Sequence, residues 1–397
     1  MNKTPFATLA GFLLTVITGC QSVAPAHVVG PSAVEPKAQV VAAPASSAAA
    51  VAPVAGGIEA AVAAAEAANA PAMTCGAEAS DKGYFGFYAN DAWTQGNVVL
   101  TFDDGPHPTA TPRVLDMLAE RKLPATFFLV GRNISRDTYP MVQRMVKEGH
   151  TLASHSYSHD VKMTNVASPK ETVETIRSQH EATAMLIDIA LLAQSPEDFD
   201  SMFRQVFQAD PAKWLTETGI RKTWRGAFER HQAMLATRGF ENGARPYSIL
   251  YSRPPGGGPY VQHDGAEGIK LYDEALEKLG MMNVLWHGAS GDTVPGKRSD
   301  FAFLTKNMEK YSKSGGVLLI HDYIRPDALA KSLDLIATDD SIDVMTMEQA
   351  VAHKYSCGSV SLGTKLSKTA ADPVLPRGLF DLPSIGSKKP AAVALLP

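Results

Sequence analysis

The chain is 397 residues long, room for one large domain or two. Its formal net charge is −4 and only 20% of its residues are charged, so no basic excess points to nucleic acid as a partner. Nothing in the composition speaks to oligomeric state.

The first segments do not belong to a fold. Lys3 gives a positive start, and Phe6 to Ile17 is mostly apolar but too short to span a bilayer as a stable helix, so residues 1–19 read as an export signal. The run ends in Ile17-Thr18-Gly19-Cys20, which resembles the lipobox of bacterial lipoproteins, where cleavage before the cysteine leaves it lipid-modified. An ordinary secretory signal with an incidental cysteine is the alternative. Position 21 is Gln rather than Asp, which by analogy favours the outer membrane, with the body facing the periplasm and the membrane reached through Cys20. Residues 20–72 are rich in Ala, Val, Pro and Ser and cannot build a core, so they read as a disordered tether. An exported chain sits in a disulfide-permissive compartment. Cys75 and Cys357 lie near the two ends of the folded region and are expected to form a disulfide, with two free thiols as the alternative.

Between 73 and 362 strand-like and helix-like runs alternate. Val98–Phe102 is followed by a helical pattern over Thr111–Arg121, and Ala125–Val130 by Tyr139–Glu148. Asn283–Trp286 and Val317–Ile320 are later apolar strands, and Asp343–Thr346 leads into a last helix from Met347. Such alternation implies an α/β domain with a parallel sheet and covering helices, or a barrel. Residues 169–245 lack a clear strand. Ser168-Pro169 with Glu171 is a helix start, and helical stretches around Glu197–Gln208 and Trp224–Thr237 follow. This block reads as a helical insertion. Its Trp214, Trp224, Arg221, Lys222 and Arg225 could contact a sugar or an acidic peptide, although a self-packing cap is the simpler expectation. Residues 363–397 read as a disordered tail.

The chemistry begins at Val98-Val99-Leu100-Thr101-Phe102-Asp103-Asp104-Gly105-Pro106, an apolar strand that runs into two adjacent aspartates and is stopped by Gly and Pro. Two like charges there are costly unless a cation takes one of them. His155 and His159 are four apart, a spacing that on a helical turn puts both imidazoles on one face, as a metal site requires. A carboxylate is the usual third ligand of such a pair and leaves coordination positions open. Taken alone, the aspartates could be a capped turn and the histidines a surface pair.

Together with Ser252-Arg253-Pro254-Pro255-Gly256-Gly257 and the strand Val317-Leu318-Leu319-Ile320-His321-Asp322, these motifs resemble the polysaccharide deacetylases, the NodB-homology proteins or carbohydrate esterase family 4. The resemblance covers roughly 95–355 and implies a distorted (β/α) barrel. It implies that Asp104, His155 and His159 hold a divalent metal, with zinc favoured and cobalt or another divalent ion as alternatives. Asp103 would be the general base, Arg253 would pair with it, and a backbone N–H in the Pro255-Gly256-Gly257 turn would share the oxyanion. His321 would protonate the leaving amine. His107 and His150 read as structural or rim residues, His287 is left open, and His180 and His231 are expected on helix surfaces.

The sequence departs from the family at Trp286-His287-Gly288-Ala289-Ser290-Gly291-Asp292-Thr293. The family's Asp-x-x-Asp-Trp becomes Ala289, Asp292 and Thr293, so His321 lacks its usual partner, and Asp292 or another acid is expected to orient it. The aromatic residue after the paired prolines is also missing, replaced by Gly256-Gly257-Gly258. The implied function is N-deacetylation of N-acetylglucosamine or a related sugar in a polymer, with peptidoglycan favoured over an exopolysaccharide. The alternatives are an O-acetyl esterase and a catalytically inactive glycan-binding protein.

Overall fold

The computed structural model describes residues 86–87, 96–166, 168–213, 215–240, 247, 251–261 and 265–355. The expectations for the export signal, the tether, Cys20, Cys75, Cys357, Trp214 and the tail fall outside them.

The core strand is β2 (Asn97–Asp103), buried from Val98 onward. Its side chains alternate with the two-residue period of a strand. Val98, Leu100 and Phe102 join the larger apolar cluster, which contains Val114, Leu115 and Leu118 of helix α1 (Ala110–Arg121). Val99 faces the other way, into a smaller cluster with Phe128, Ala153, Tyr251, Met282, Val284 and Val317. That second cluster is the barrel interior, and Thr101 and Asp103 share its face of β2.

The other described strands are β1 (Gly86–Phe87), β3 (Thr126–Leu129), β4 (Thr151–Ser154), β5 (Tyr251–Ser252), β6 (Met282–Val284), β7 (Gly288–Ala289), β8 (Gly316–His321) and β9 (Asp343–Val344). They are ordered β1-β6-β5-β4-β3-β2-β8-β7, with β9 also paired to β2, and every pairing is parallel. Helices α2 (Tyr139–Lys147), α6 (Gly265–Leu279), α7 (Phe301–Ser314) and α8 (Pro326–Thr338) contribute to the outer cluster. Met347, Ala350, Val351 and Tyr355 of α9 (Met347–Tyr355) fill the inner one. The result is an α/β fold, a distorted and open (β/α) barrel. Parallel strands bring all their C-terminal ends to one face, where such barrels build their sites.

The block expected as an insertion divides in two. Helix α3 (Pro169–Leu192) starts as the sequence predicts: Ser168 Oγ accepts from the Glu171 N–H, and Pro169 occupies the first turn. Nearly every residue from Thr172 to Ala190 is buried, as befits a helix enclosed on all sides rather than a peripheral cap. It is part of the barrel body, between β4 and β5. Helices α4 (Pro196–Phe207) and α5 (Glu217–Arg238) follow it. Trp224 is buried between Arg177 and Arg225, whose guanidinium carbons lie 5.3 and 5.1 Å from its ring centre. Its role is packing within the helical layer.

His180 and His231 are not surface residues; both are fully buried. His180 bridges Ser154 Oγ and Tyr272 Oη, each at 2.8 Å, and His231 lies 3.0 Å from the buried Asp188 carboxylate. His180 lies on α3, which is covered all round, and His231 on the inward face of α5, so both find their partners in the interior. The surface expectation took α3 for half-solvated and placed His231 on the wrong face of α5.

Candidate metal and acid–base site

The register of β2 sets the site. Asp103 is paired with His321 of β8 on one side and with Phe128 of β3 on the other. Leu129 pairs with Ser154, and Ser154 with Ser252. His155 and Arg253 each follow one of those serines, so four strand ends deliver Asp103, His155, Arg253 and His321 to one face.

Asp103 is 2% exposed and points into the barrel. Arg253, fully buried, donates from Nη1 to Asp103 Oδ1 at 2.6 Å and to Thr101 Oγ1 at 2.9 Å. Its Nε donates to Val284 O and its Nη2 to Leu285 O. The guanidinium carbon lies 4.0 Å above the Phe128 ring. A buried charge held by that many partners fixes the carboxylate it serves.

Asp104 leaves the strand in the left-handed region, φ 74, a conformation uncommon for a residue with a side chain. The turn is held by Asn133 Nδ2, which donates to Asp104 O, and by the Val130 N–H, which donates to Gly105 O. A Cβ at Gly105 would sit 2.5 Å from Asp322 Oδ2, so a larger residue would displace the buried Asp322 side chain. The turn brings Asp104 beside both histidines, while Asp103 Oδ2 also lies 3.6 Å from His155 Nε2.

Those histidines converge through a loop and not through a helical turn. Residues 155–159 carry no helix, and Ser156 and His159 have φ of 64 and 57. The loop is pinned by Gln179 of α3, whose Oε1 accepts from Tyr157 N–H at 3.0 Å and Ser158 N–H at 2.8 Å. His155 Nδ1 lies 2.8 Å from Arg253 O. A carbonyl only accepts, so Nδ1 carries the proton and Nε2 presents its lone pair to the site.

His159 Nε2 and His155 Nε2 are 3.0 and 3.6 Å from Asp104 Oδ1. One ligand atom from each of Asp104, His155 and His159 lies within 4.8 Å of the others. Asp104 Oδ1 is buried and accepts no hydrogen bond. Burial opposes the Asp104 charge, but His159, His155 and His321 outweigh it and hold the carboxyl well below its usual range. Burial holds His155 below its ordinary value against the pull of Asp103 and Asp104. A carboxylate with an orphan oxygen beside two imidazoles, one of them held neutral, fits a divalent cation.

Across from Asp103, Asp292 Oδ1 lies 2.9 Å from His321 Nδ1, while its Oδ2 accepts from the His321 N–H at 2.8 Å. Burial works against a proton on His321, yet Asp292, with smaller contributions from Asp103 and Asp104, pushes its pKa up to about 9. The structure thus places Asp292 where Ala289 offers no carboxylate. Ala289 sits in β7 opposite Leu319, and Thr293 is exposed.

Pro255, Gly256 and Gly257 form a tight turn. Pro255 has no N–H, and the Gly257 N–H donates to Pro254 O, so within this turn the oxyanion expectation narrows to the Gly256 amide. A side chain at Gly257 is blocked by Val261 and Trp286. Trp286 also lies 5.8 Å from the Arg253 guanidinium, so an aromatic residue borders the site from a position the motifs do not single out. His107 Nδ1 accepts from the Thr109 and Ala110 N–H groups at the start of α1, and His150 Nδ1 from Ala125 N–H. His287 Nδ1 accepts from Val317 N–H, near the opposite end of β8 from His321.

Four neighbours, Gln179, His180, Asp322 and Tyr323, had no role in the site assigned from the sequence. Gln179 and His180 brace β4 and its loop from α3. Asp322 is buried against Thr111, and burial, opposed by that contact and aided by the Asp104 charge, raises its carboxyl to about 7. Tyr323 stacks on His321 with ring centres 5.1 Å apart and planes at 19°. A residue immediately after the family's His-Asp pair was the only available signal for Tyr323.

Residues 91–192 match the family model described as polysaccharide deacetylase. A segment of 63 residues is 51% identical to a chitooligosaccharide deacetylase of Sinorhizobium fredii, covering 16% of this chain and 29% of that protein. A segment of 62 residues is 47% identical to a peptidoglycan-N-acetylglucosamine deacetylase of Bacillus cereus, again covering 16% and 29%. Among solved structures, a peptidoglycan deacetylase from Bacillus subtilis aligns over 65% of this chain and 90% of its own, at 23% identity and a TM-score of 0.40. The chain spans under a third of the length of the two curated relatives. The family match runs to the end of α3, so that helix lies inside it and the additional helices begin beyond Leu192. Residues 91–192, which hold the aspartate pair, both histidines and α3, are the stretch that matches the polysaccharide deacetylase family model.

Proposed function

We propose that the protein is a metal-dependent hydrolase that removes N-acetyl groups from a polysaccharide, with N-acetylglucosamine residues of peptidoglycan as the favoured target. The observation that carries this reading is the pairing of Asp103 with His321 on neighbouring strand ends, beside the Asp104, His155 and His159 cluster. A zinc or other divalent ion held by those three residues would acidify a water and polarise the acetamide carbonyl. Asp103, kept in place by Arg253, accepts the proton of the attacking water. As the carbon–nitrogen bond breaks, His321 delivers its proton to the amine, and acetate and a free amino sugar leave. Asp292 keeps His321 protonated and aimed, which an amide leaving group needs more than an ester does. That contact favours N- over O-deacetylation and supports an active enzyme over a binding protein.

The envelope reading belongs to the same proposal. The sequence before Cys20 supports lipid attachment facing the periplasm, and Cys75 with Cys357 would close the domain's ends. Labelling with a radioactive fatty acid, lost in Cys20→Ala, tests the anchor. The activity is tested by acetate release from peptidoglycan, N-acetylglucosamine oligomers and acetylated xylan. Release from the first two and not from xylan is expected, and release from xylan alone would replace this reading with the O-acetyl esterase.

A further inference from the structure

Lys297 and Arg298 are exposed in the loop that follows Asp292, and Arg325, half-buried, immediately precedes α8. Lys297 pairs with Asp300 at 2.9 Å. Arg325, which reaches back to Ser299 O, pairs with Asp327 at 2.6 Å. Arg298 is exposed and, among the described residues, has no carboxylate partner. Its guanidinium carbon instead lies 4.2 Å from the centre of the Tyr323 ring, and Tyr323 stacks on His321. A cation left over an aromatic face keeps its planar fork of donors available, and the stack limits the side-chain freedom lost when it binds. The loop is anchored by Asp292, which grips His321, so Arg298 is tied to the acid side of the site by two routes, through the backbone and through Tyr323.

We propose that Arg298, carried on Tyr323 beside His321, is a specificity-determining residue that receives a carboxylate on the sugar neighbouring the one to be deacetylated. This deepens the deacetylase reading and rests on it: the favoured polymer is an acidic N-acetylated glycan and not a neutral chitin-like chain. Two sources share the chemistry, the lactyl ether of a muramic residue and a uronic acid.

The test uses two matched pairs of glycans with the zinc-loaded protein. One pair is a tetrasaccharide of alternating N-acetylglucosamine and N-acetylmuramic acid and its lactyl carboxamide. The other is a hexasaccharide of alternating N-acetylglucosamine and glucuronate and its carboxamide. Wild type is expected to favour the acid over the amide in kcat/KM by about three- to ten-fold in at least one pair, with the preference shrinking as salt is added. The pair that shows it identifies the source. Arg298→Gln should bring that ratio close to one, and Lys297→Gln should keep it. The same ratios are read from equilibrium binding to Asp103→Asn, which does not depend on turnover. No preference in wild type for either pair, or an unchanged ratio in Arg298→Gln, overturns the proposal. No acetate from any of the glycans, with the charge preference still present in binding, overturns the deacetylase reading instead.

Discussion

His321 is bound by one carboxylate at two points, through its ring and through its own backbone N–H. The ring contact raises its pKa, and the backbone contact fixes where Asp292 stands. Removing the Asp292 charge lowers the His321 pKa, so the proton is lost at lower pH. Asp292→Asn is therefore expected to move the alkaline limb of kcat/KM down by about one unit or more, a shift that a pH–rate profile measures directly. The raised pKa also has a stability consequence. The contribution is complete below the ordinary value of 6.5 and is lost as the pH rises through about 9. On the other side of the site, Arg253→Met leaves Asp103 buried without its cation and should cost about 3–5 kcal/mol in a urea titration. Asp103→Asn keeps a hydrogen-bonding group beside Arg253 and should fold, while lowering kcat by about 10²- to 10⁴-fold. The residues that act directly were legible because each sits in a short motif with a chemical reason. Asp292 was legible only as a remaining acid, since nothing in its spacing shows that both its oxygens face His321. For the Pro255-Gly256-Gly257 turn, the sequence does not reveal that the Gly257 N–H closes the turn on itself, which leaves the oxyanion expectation with the Gly256 amide.

At the scale of elements, the site depends on α3. Gln179 holds the backbone between the two histidines, and His180 holds β4 just before His155. Neither touches the ligand cluster, so they act as positioning residues. Gln179→Ala should loosen the 155–159 loop and weaken zinc affinity by about 10- to 100-fold, measured by competition with a chelating dye. An unchanged affinity would show that the loop holds its shape without α3. The helix start at Ser168-Pro169 was readable from its cap. The burial of α3 was not, because its apolar positions are mixed with polar ones such as His180 and Asp188, which find partners only after the chain folds. Longer strands such as β2 and β8 announced themselves as apolar runs. β4, β5 and β7 are two to four residues long, too short for a period-two pattern to register, yet β4 and β5 are the strands that deliver His155 and Arg253.

For the whole molecule, parallel pairing does the assembling: residues far apart in the chain meet because every described strand ends on the same face. The alternation of runs conveyed that architecture, and the order of strands came only with the structure. A cation at Asp104, His155 and His159 would bind the folded chain and not the unfolded one. Zinc at a thousandfold excess over its Kd should therefore add about 4 kcal/mol to unfolding, seen as a rise in Tm that a chelator reverses and that His155→Ala lacks. Acetate released per mole of zinc-loaded protein from an N-acetylglucosamine oligomer, compared among wild type, Asp103→Asn and His155→Ala, is the most direct test. The account predicts steady release by wild type and a loss of about two orders of magnitude or more in each folded variant. Release that persists in Asp103→Asn, or its absence in wild type with zinc bound, would contradict it.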